Sequence, residues 1–254
     1  MLLDWLVGTV GEDEEVIRAS KVCRVVIAGN SIAKELQNRS YGQVARYLSR
    51  KVAIPSVEAV RNLDQFLAKL AKFVNIDLMP GEFDPVNHML PQQPMNVRIF
   101  PNVGPMSTFH PVTNPYSATI DGVKFLGTSG QNIDDVYRFS SIENRLEILA
   151  STLSWGHMCP TAPDTLDCFP FYDRDPFIIE QSPHVYFCGN QPEFSSKRVN
   201  LGSGPKTTLV TVPSFSETGI FVLMNVKDLT VEPVILSTDF TASIGNDFDI
   251  AVNK

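Results

Sequence analysis

The sequence predicts an α/β domain in which two mixed β-sheets face each other and are flanked by helices. Its first third has the order strand, loop, helix, strand, loop, which is typical of a βαβ crossover between parallel strands. Its last third holds short β-branched or aromatic runs separated by Gly, Pro and Ser turns, which is typical of a strand meander. We therefore expect one domain over residues 1–236 and a loose tail over residues 237–254.

The beginning of the chain predicts a short helix and then a buried strand. Residues 1–10 have apolar side chains at helical spacing, and the acidic stretch 11–15 is expected to interrupt the helix. Residues 21–28 form a nearly continuous apolar run, as parallel strands covered on both faces do. This strand is expected to end at the turn Gly29-Asn30, since Gly and Asn both tolerate positive φ.

An amphipathic helix and a second strand complete the predicted crossover. Apolar side chains recur at helical spacing over residues 57–73, and Ser56 is suited to cap this helix. Apolar and polar side chains then alternate over residues 74–79, as they do in a strand, and the loop 80–85 follows. A loop at the carboxyl end of a buried strand is where α/β proteins usually place their chemistry.

The middle of the chain predicts a long connection, a hairpin and a second helix. Residues 88–115 are rich in proline and are expected to cross the surface without regular structure. Asp121-Gly122 lies between two apolar runs of residues 118–127, which is a strong hairpin signal. A helix is expected over residues 142–155, capped by Ser141. The late strands are expected at residues 184–188, 207–212, 219–226 and 230–236.

The composition is that of a globular protein with an acidic surface. Hydrophobic residues make up 43% and charged residues 19% of the 254 residues, and the formal net charge is −7. This balance repels phosphate backbones, so direct binding of DNA would need a local basic patch. The densest basic run, residues 46–51, is explained by a solvated helix face. No apolar run has membrane-spanning length.

The four cysteines argue against a structural zinc site. They are widely spaced and include no Cys-x-x-Cys pair. Cys23 and Cys188 lie in apolar, strand-like runs and are expected to be buried free thiols. Free thiols suit a reducing compartment such as the cytosol or the nucleus.

Several runs of the sequence resemble a known family. The loop Met79-Pro80-Gly81-Glu82-Phe83-Asp84-Pro85 is similar to the Gly-Asn-His-Asp/Glu loop of calcineurin-like metallophosphoesterases. It resembles still more the small (B) subunits of DNA polymerase delta, whose phosphoesterase domain is taken to be inactive. The resemblance covers about residues 22–234. The other runs that support it are residues 26–30, 90–94, 112–116, 120–123, 125–132, 160–166, 175–178 and 184–190.

The resemblance implies that the metal ligands of an active phosphoesterase are missing. Two cations about 3.5–4 Å apart need carboxylate, Asn and His ligands from several strand ends. The bridging carboxylate is replaced by a neutral Asn, and the later His positions hold Phe and Pro. Such side chains cannot hold or balance two divalent cations, so we expect no metal, no cofactor and no catalysis. The vestigial positions are Asn30, Glu82, Phe83, Asp84, His157, Asn190 and Pro192.

Taken singly, these motifs also have purely structural interpretations. The two Gly-Asn pairs suit strand-end turns, and His157 is placed to cap the end of a helix. Thr128-Ser129-Gly130 suggests a phosphate nest but lacks the P-loop Lys. His184, at the start of a strand, is expected to be a packed core or edge residue.

Membership of this family implies a non-catalytic scaffold. Its members grip the cysteine-rich C-terminal domain of the catalytic subunit and bind the third, clamp-linked subunit. They also resemble the accessory subunit shared with translesion polymerase zeta. The resemblance therefore implies a nuclear role in DNA replication and repair, with DNA reached only through partners and no membrane. The exposed aromatic, proline-rich loop Thr161–Phe177 is expected to supply partner contacts.

The chain departs from the family at its beginning. Members carry an N-terminal domain of the oligonucleotide-binding type and a first phosphoesterase strand, and the runs that resemble the family are expected to include neither. Part of the third-subunit site lies there in the family. We expect an N-terminally truncated form, either a fragment or a short isoform.

Two other functions stay open. The first is a metal-dependent phosphoesterase or nuclease with an atypical ligand set from Glu82, Asp84 and His157, which manganese-dependent turnover would reveal. The second is direct binding of single-stranded DNA, which the acidic balance disfavours and which salt-dependent affinity would reveal.

Overall fold

The computed structural model describes residues 1–32, 55–200 and 206–236. The expected tail over 237–254 and the basic run 46–51 lie outside the described residues. The helices are α1 Leu2–Val7, α2 Asp13–Ser20, α3 Pro55–Leu70, α4 Gln131–Phe139, α5 Arg145–Trp155 and α6 Phe215–Thr218, with a 3-10 turn at Val97–Ile99. The strands are β1 Arg24–Ala28, β2 Asn75–Met79, β3 Phe109–Pro111, β4 Tyr116–Ile120, β5 Val123–Thr128, β6 Val185–Gln191, β7 Ser195–Val199, β8 Thr207–Pro213, β9 Ile220–Met224 and β10 Val231–Ile235.

Two sheets and a separate hairpin hold all ten of these strands. One sheet has the order β1-β2-β3 and is entirely parallel. The other has the order β4-β5-β6-β8-β7, with antiparallel edges around a parallel centre. The hairpin pairs β9 with β10. The predicted βαβ crossover is confirmed, because β1 and β2 are parallel neighbours joined through α3.

Alternating side chains along the strands build three apolar layers. On β2, Ile76 and Leu78 pack with α3, whereas Met79 packs between the sheets. On β6, Tyr186 packs with helices α4 and α5, whereas Phe187 joins Met79 between the sheets. Helices thus cover the outer faces of two facing sheets, and the predicted fold class is confirmed. No helix within the described ranges is long and apolar enough to cross a membrane.

A buried polar contact also links the two sheets. Asp77 of β2 is 2% exposed and forms an ion pair with Arg24 of β1, with 2.5 Å between Nη1 and Oδ1. The hydroxyl of Tyr116, on β4 of the other sheet, donates to Asp77 Oδ2 over 2.6 Å. Burial, together with the Asp77 carboxylate, raises the pKa of Tyr116 far above its usual value. The charge of Asp77 is therefore buried but paired on both oxygens.

Helix boundaries differ from the prediction where a nearby residue starts a helix better. Helix α3 begins at Pro55, so Ser56 is a helical residue rather than the cap; proline has the φ of a first helical turn. Helix α5 begins at Arg145, because the Oδ1 of Asn144 accepts the N–H of Leu146 over 2.9 Å; Ser141 is not its cap. The first helix ends at Val7, so residues 8–12 separate it from α2, and the acidic residues 13–15 open α2, since carboxylates stabilise a helix N-terminus.

The proline-rich segment 88–115 is not a surface connection, and that prediction was wrong. Met95, Phe100 and Val103 are at most 1% exposed and pack under α3. The end of the segment adds β3 to the parallel sheet.

Several smaller predictions also need correction. Helix α4 and strand β7 were not predicted: α4 has only nine residues and directly follows a Gly- and Ser-containing turn, and β7 reads Ser-Ser-Lys-Arg-Val. Cys188 is buried as expected, but Cys23 is exposed just before β1. The Asp121-Gly122 hairpin is confirmed, with φ of 47° and 79°.

A candidate site at the strand ends

The carboxyl ends of β1, β2, β5 and β6 meet at one edge of the facing sheets. The loop after β2 passes so close to the turn after β1 that only glycine fits at Gly81, where an added Cβ would lie 2.3 Å from the backbone nitrogen of Asn30. A Cβ on Gly29 would in turn lie 2.5 Å from the Cβ of Ser129, which follows β5. Loops from both sheets therefore form one site, where the sequence predicted it.

Asn30 and Asn190 tie these loops together through their side-chain amides. Both have positive φ, 53° and 54°, which Asn tolerates better than most residues. The Oδ1 of Asn30 accepts the N–H of Phe83 over 3.2 Å. The Nδ2 of Asn190 donates to the carbonyls of Ala28 and Ser129 over 2.9 and 2.8 Å. The Oδ1 of Asn30 and the Nδ2 of Asn190 thus link neighbouring loops.

A buried network of neutral amides lies beside them. Gln92 and Asn114 are both 0% exposed. The Nδ2 of Asn114 donates to Gln92 Oε1 over 2.8 Å and to Ser129 Oγ over 3.0 Å. The Nε2 of Gln92 donates to the carbonyl of Gly81 over 3.0 Å, and that of Gln131 donates to Gln92 Oε1 over 3.2 Å. This network joins the loop after β2 to the start of α4.

The amide network was not predicted from the sequence, although its residues lie in motifs quoted above. Gln92 and Asn114 sit in the proline-rich runs 90–94 and 112–116. Polar residues beside proline usually indicate an exposed loop. Only the pairing of the segments around Gln92 and Asn114, through backbone hydrogen bonds of 2.7 and 3.1 Å, identifies these residues as a network. No local sequence pattern encodes that pairing.

Asp84 is the carboxylate at the centre of the loop after β2. It is 2% exposed, and its two oxygens accept the N–H groups of Gly81 over 2.8 Å and of Ile32 over 3.1 Å. Burial raises the pKa of Asp84 to about 6, although the surrounding backbone N–H groups favour the charged form. Each carboxylate oxygen of Asp84 therefore accepts a backbone N–H, one from the loop after β2 and one from the segment after β1, and these bonds hold the two together.

The other predicted positions do not join Asp84 as a ligand set. Glu82 is exposed, and Phe83 is half-buried. Among the described residues, no three or more His, Cys, Asp or Glu side chains are grouped so that they could hold a metal ion. Pro192 is exposed beside a cleft of about 390 Å³ that Tyr137 and Arg145 also line.

His157 is engaged in a different contact. Its Nε2 lies 2.8 Å from Asp175 Oδ2, and its Nδ1 accepts the N–H of Cys159 over 3.2 Å. The helix before it ends at Trp155 and is capped at Gly156, which has a φ of 70°. The backbone N–H of His157 donates to the carbonyl of Thr152 over 3.1 Å, so His157 does take part in the helix cap, through its backbone, while its ring contacts Asp175. His184 lies at a strand edge, where its Nδ1 accepts the N–H of Lys124 over 2.9 Å.

Fold and site together define a two-sheet α/β protein whose strand-end loops are joined by neutral amides. The family model that describes the B subunits of the DNA polymerase alpha/epsilon type matches residues 1–196. The chain belongs to this family.

Relatives described as DNA polymerase delta small subunits extend over most of this chain. One from Arabidopsis thaliana is 42% identical over 96% of the chain. "DNA polymerase delta subunit 2" of Drosophila melanogaster is 42% identical over 92%, and the small subunit of Saccharomyces cerevisiae is 30% identical over 92%. The chain spans about half the length of these relatives, namely 54%, 54% and 51%.

A solved structure titled "Structural and Functional Characterization of a Novel Archaeal Phosphodiesterase" superposes on 85% of this chain and 99% of its own. The TM-score is 0.39 and the sequence identity is 10%. This likeness is too distant to transfer any site residue.

Proposed function

We propose that this chain is a non-catalytic accessory subunit of DNA polymerase delta, built on a degenerate phosphoesterase site. The relatives that match most of the chain are described as small subunits of that polymerase, which supports the assignment. The degenerate positions are the predicted ones: Asn30, Glu82, Phe83, Asp84, His157, Asn190 and Pro192.

One observation supports this proposal most strongly. At the edge where a two-metal enzyme needs ligands with free lone pairs, the Oδ1 of Asn30 accepts the N–H of Phe83, and the carboxylate of Asp84 accepts N–H groups on both oxygens. A metal bound at Asn30 or Asp84 would compete with these bonds, each of which holds a loop in place. Asn190 supports the proposal through its position, because its Nδ2 is fixed by the carbonyls of Ala28 and Ser129 and serves as a link between loops.

The proposed partners follow from the family. We propose that the chain binds the cysteine-rich C-terminal domain of the polymerase delta catalytic subunit; in the family, the site for the third subunit lies partly in the N-terminal region. Sharing with polymerase zeta, a nuclear location and a role in repair belong to the same proposal. DNA is reached through these partners, which agrees with the net charge of −7.

We further propose that residues 1–236 act as one unit. The ring of Trp5 in α1 packs edge-on against Phe221 in β9, with 4.9 Å between centroids. Arg18 of α2 forms an ion pair with Glu232 of β10. The first and last described elements therefore stabilise each other.

Co-purification of the full chain with the catalytic subunit's C-terminal domain tests the function. We expect a stoichiometric complex in which metal analysis assigns all metal to the partner domain. The free chain should show no manganese-dependent phosphodiester hydrolysis. A folded chain that does not bind but turns over substrate, and loses turnover on Asp84→Asn, would establish the phosphoesterase alternative instead.

A further inference from the structure

A segment between α5 and β6 exposes several aromatic side chains. Tyr172 is 100% exposed and Phe169 is 54% exposed, and Phe171 lies between them in the chain. We call residues 163–180 the acidic-aromatic surface. Large exposed aromatic side chains that lie close together mark interaction sites more often than single exposed apolar residues do.

Two backbone bridges fix this surface to the domain. In the first bridge, the N–H of Leu90 donates to the carbonyl of Asp167 over 3.0 Å, and the N–H of Phe169 donates to the carbonyl of Leu90 over 2.8 Å. In the second bridge, the N–H of Met158 donates to the carbonyl of Phe177 over 2.9 Å. The side chain of Phe177 is buried in the apolar core, together with side chains of α5.

A side-chain contact reinforces each bridge. His88 lies 3.2 Å from Asp167 beside the first, and His157 lies 2.8 Å from Asp175 beside the second. Just before the first bridge, the hydroxyl of Thr165 donates to Asp135 over 2.6 Å. The segment is therefore ordered before any partner arrives, which lowers the entropic cost of binding. Phe169 is held by its backbone bond to Leu90 and by its ring contact with Phe171, and Tyr172 projects into solvent three residues further on.

The charge of this surface indicates what it binds. It contains five carboxylates and one guanidinium: Asp164, Asp167, Asp173, Asp175, Glu180 and Arg174. A surface of this sign repels nucleic acid and anionic lipid but attracts Lys and Arg side chains. The exposed aromatic rings offer faces to the same cations. Acidic groups around aromatic anchors thus favour a basic protein segment.

We propose that the acidic-aromatic surface docks a segment of a partner subunit that carries Lys or Arg. Phe169 and Tyr172 are its apolar anchors, and Asp164 and Asp173 are its charge partners. This inference rests on the proposed function and adds the chemistry by which the partner is recognised. Asp167 and Asp175 are excluded from the charge role because His88 and His157 already engage them.

Two double variants of the full chain separate the anchors from the charges. Binding to the catalytic subunit's C-terminal domain is measured for Phe169→Ala with Tyr172→Ala, and for Asp164→Asn with Asp173→Asn. The anchor variant is expected to bind at least about 30-fold more weakly. The charge variant is expected to bind about 3- to 10-fold more weakly at low salt and to lose part of the salt dependence.

Matched controls come from elsewhere on the surface. Phe73→Ala removes an aromatic side chain that is 61% exposed at the end of α3, and Asp121→Asn with Glu217→Gln removes two exposed carboxylates. Both are expected to bind like wild type. Because Tyr172 and Phe169 are largely exposed, the anchor variant should keep the wild-type unfolding temperature, so lost binding cannot be assigned to misfolding.

Cross-linking identifies the segment that docks. With p-benzoylphenylalanine in place of Tyr172, the reconstituted complex should cross-link to a partner peptide that contains Lys or Arg. A cross-link only to acidic or neutral peptides overturns the inference. Wild-type binding with both variants unaffected also overturns it, and leaves the proposed function standing. If the folded wild-type chain does not bind the domain, both proposals fall.

Discussion

At the scale of single residues, Asn190 connects two loops through one amide. Its Nδ2 donates to the carbonyls of Ala28 and Ser129. Asn190→Asp replaces this donor with an acceptor that faces both carbonyls, whereas Asn190→Ala only leaves them unpaired. We expect Asn190→Ala to lower the free energy of unfolding by about 2 kcal/mol and Asn190→Asp to lower it further.

Denaturant unfolding monitored by circular dichroism measures both changes. Asn190→Gly is the matched control for the positive φ of this position, because glycine keeps the backbone conformation without the amide. Equal stabilities for the Asp and Ala variants would show that the amide is not the donor that joins these loops.

Asp84 makes stability depend on pH. Its pKa rises from 3.8 to about 6 on folding, so the folded state holds the proton more tightly than the unfolded chain does. The group's contribution to stability is therefore complete below pH 4 and is lost as the pH rises through about 6. The total effect is about 3 kcal/mol, since one pKa unit corresponds to about 1.4 kcal/mol.

Asp84→Asn removes this dependence because the amide does not titrate. We expect the difference in unfolding free energy, variant minus wild type, to increase by about 1 kcal/mol between pH 5 and pH 7.5. Asp121→Asn, in an exposed hairpin turn with a φ that Asn adopts, is the matched control for the effect of an Asp-to-Asn change away from the site. A flat profile for Asp84→Asn would contradict the raised pKa.

At the scale of secondary-structure elements, strands β5 and β6 pair a glycine with an aromatic ring. Gly127 lies opposite Phe187 in the register, and a Cβ on Gly127 would lie 2.2 Å from the ring. Gly127→Ala therefore forces the ring to move within the layer between the sheets, where it also packs on Tyr116. We expect a loss of about 1–3 kcal/mol in unfolding free energy.

A double-mutant cycle with Phe187→Leu checks the cause. If the ring is responsible, Gly127→Ala should cost less in the Phe187→Leu background, with a coupling of about 1 kcal/mol. Additive changes would mean that the strand backbone, not the ring, resists the methyl group.

Elements with a strong period were predictable, and those defined by distant partners were not. The crossover β1–α3–β2 was anticipated because its apolar residues recur at the spacing of buried strands and of one helix face. Strand β7 is polar on both faces, and its pairing with β8 decides its conformation. In the same way, the side chains of Gln92 and Asn114 form a hydrogen-bond network only because two proline-rich segments lie side by side in the fold. A local sequence pattern does not predict such long-range contacts.

At the scale of the whole molecule, the acidic balance predicts weak contact with nucleic acid. The 28 Asp and Glu residues outnumber the 21 Lys and Arg residues, so the isolated chain, with a net charge of −7, repels a phosphate backbone overall. We expect a dissociation constant for a labelled single-stranded oligonucleotide weaker than about 10⁻⁴ M at physiological salt. Fluorescence anisotropy measures it, and micromolar, salt-sensitive binding would revive the DNA-binding alternative.

The contact between α1 and the C-terminal hairpin has a consequence for synthesis of the chain. Trp5 is only 3% exposed, and Phe221, against which it packs, is more than two hundred residues later. On the ribosome, the N-terminal helices therefore emerge long before the strands that cover them. Leu3 and Leu6 of α1 can pack against the core around α3 and β2 as soon as those elements are made, whereas the ring of Trp5 has no Phe221 to pack against until the hairpin is synthesised. The contact of Trp5 with Phe221 is therefore among the last native contacts of α1 to form.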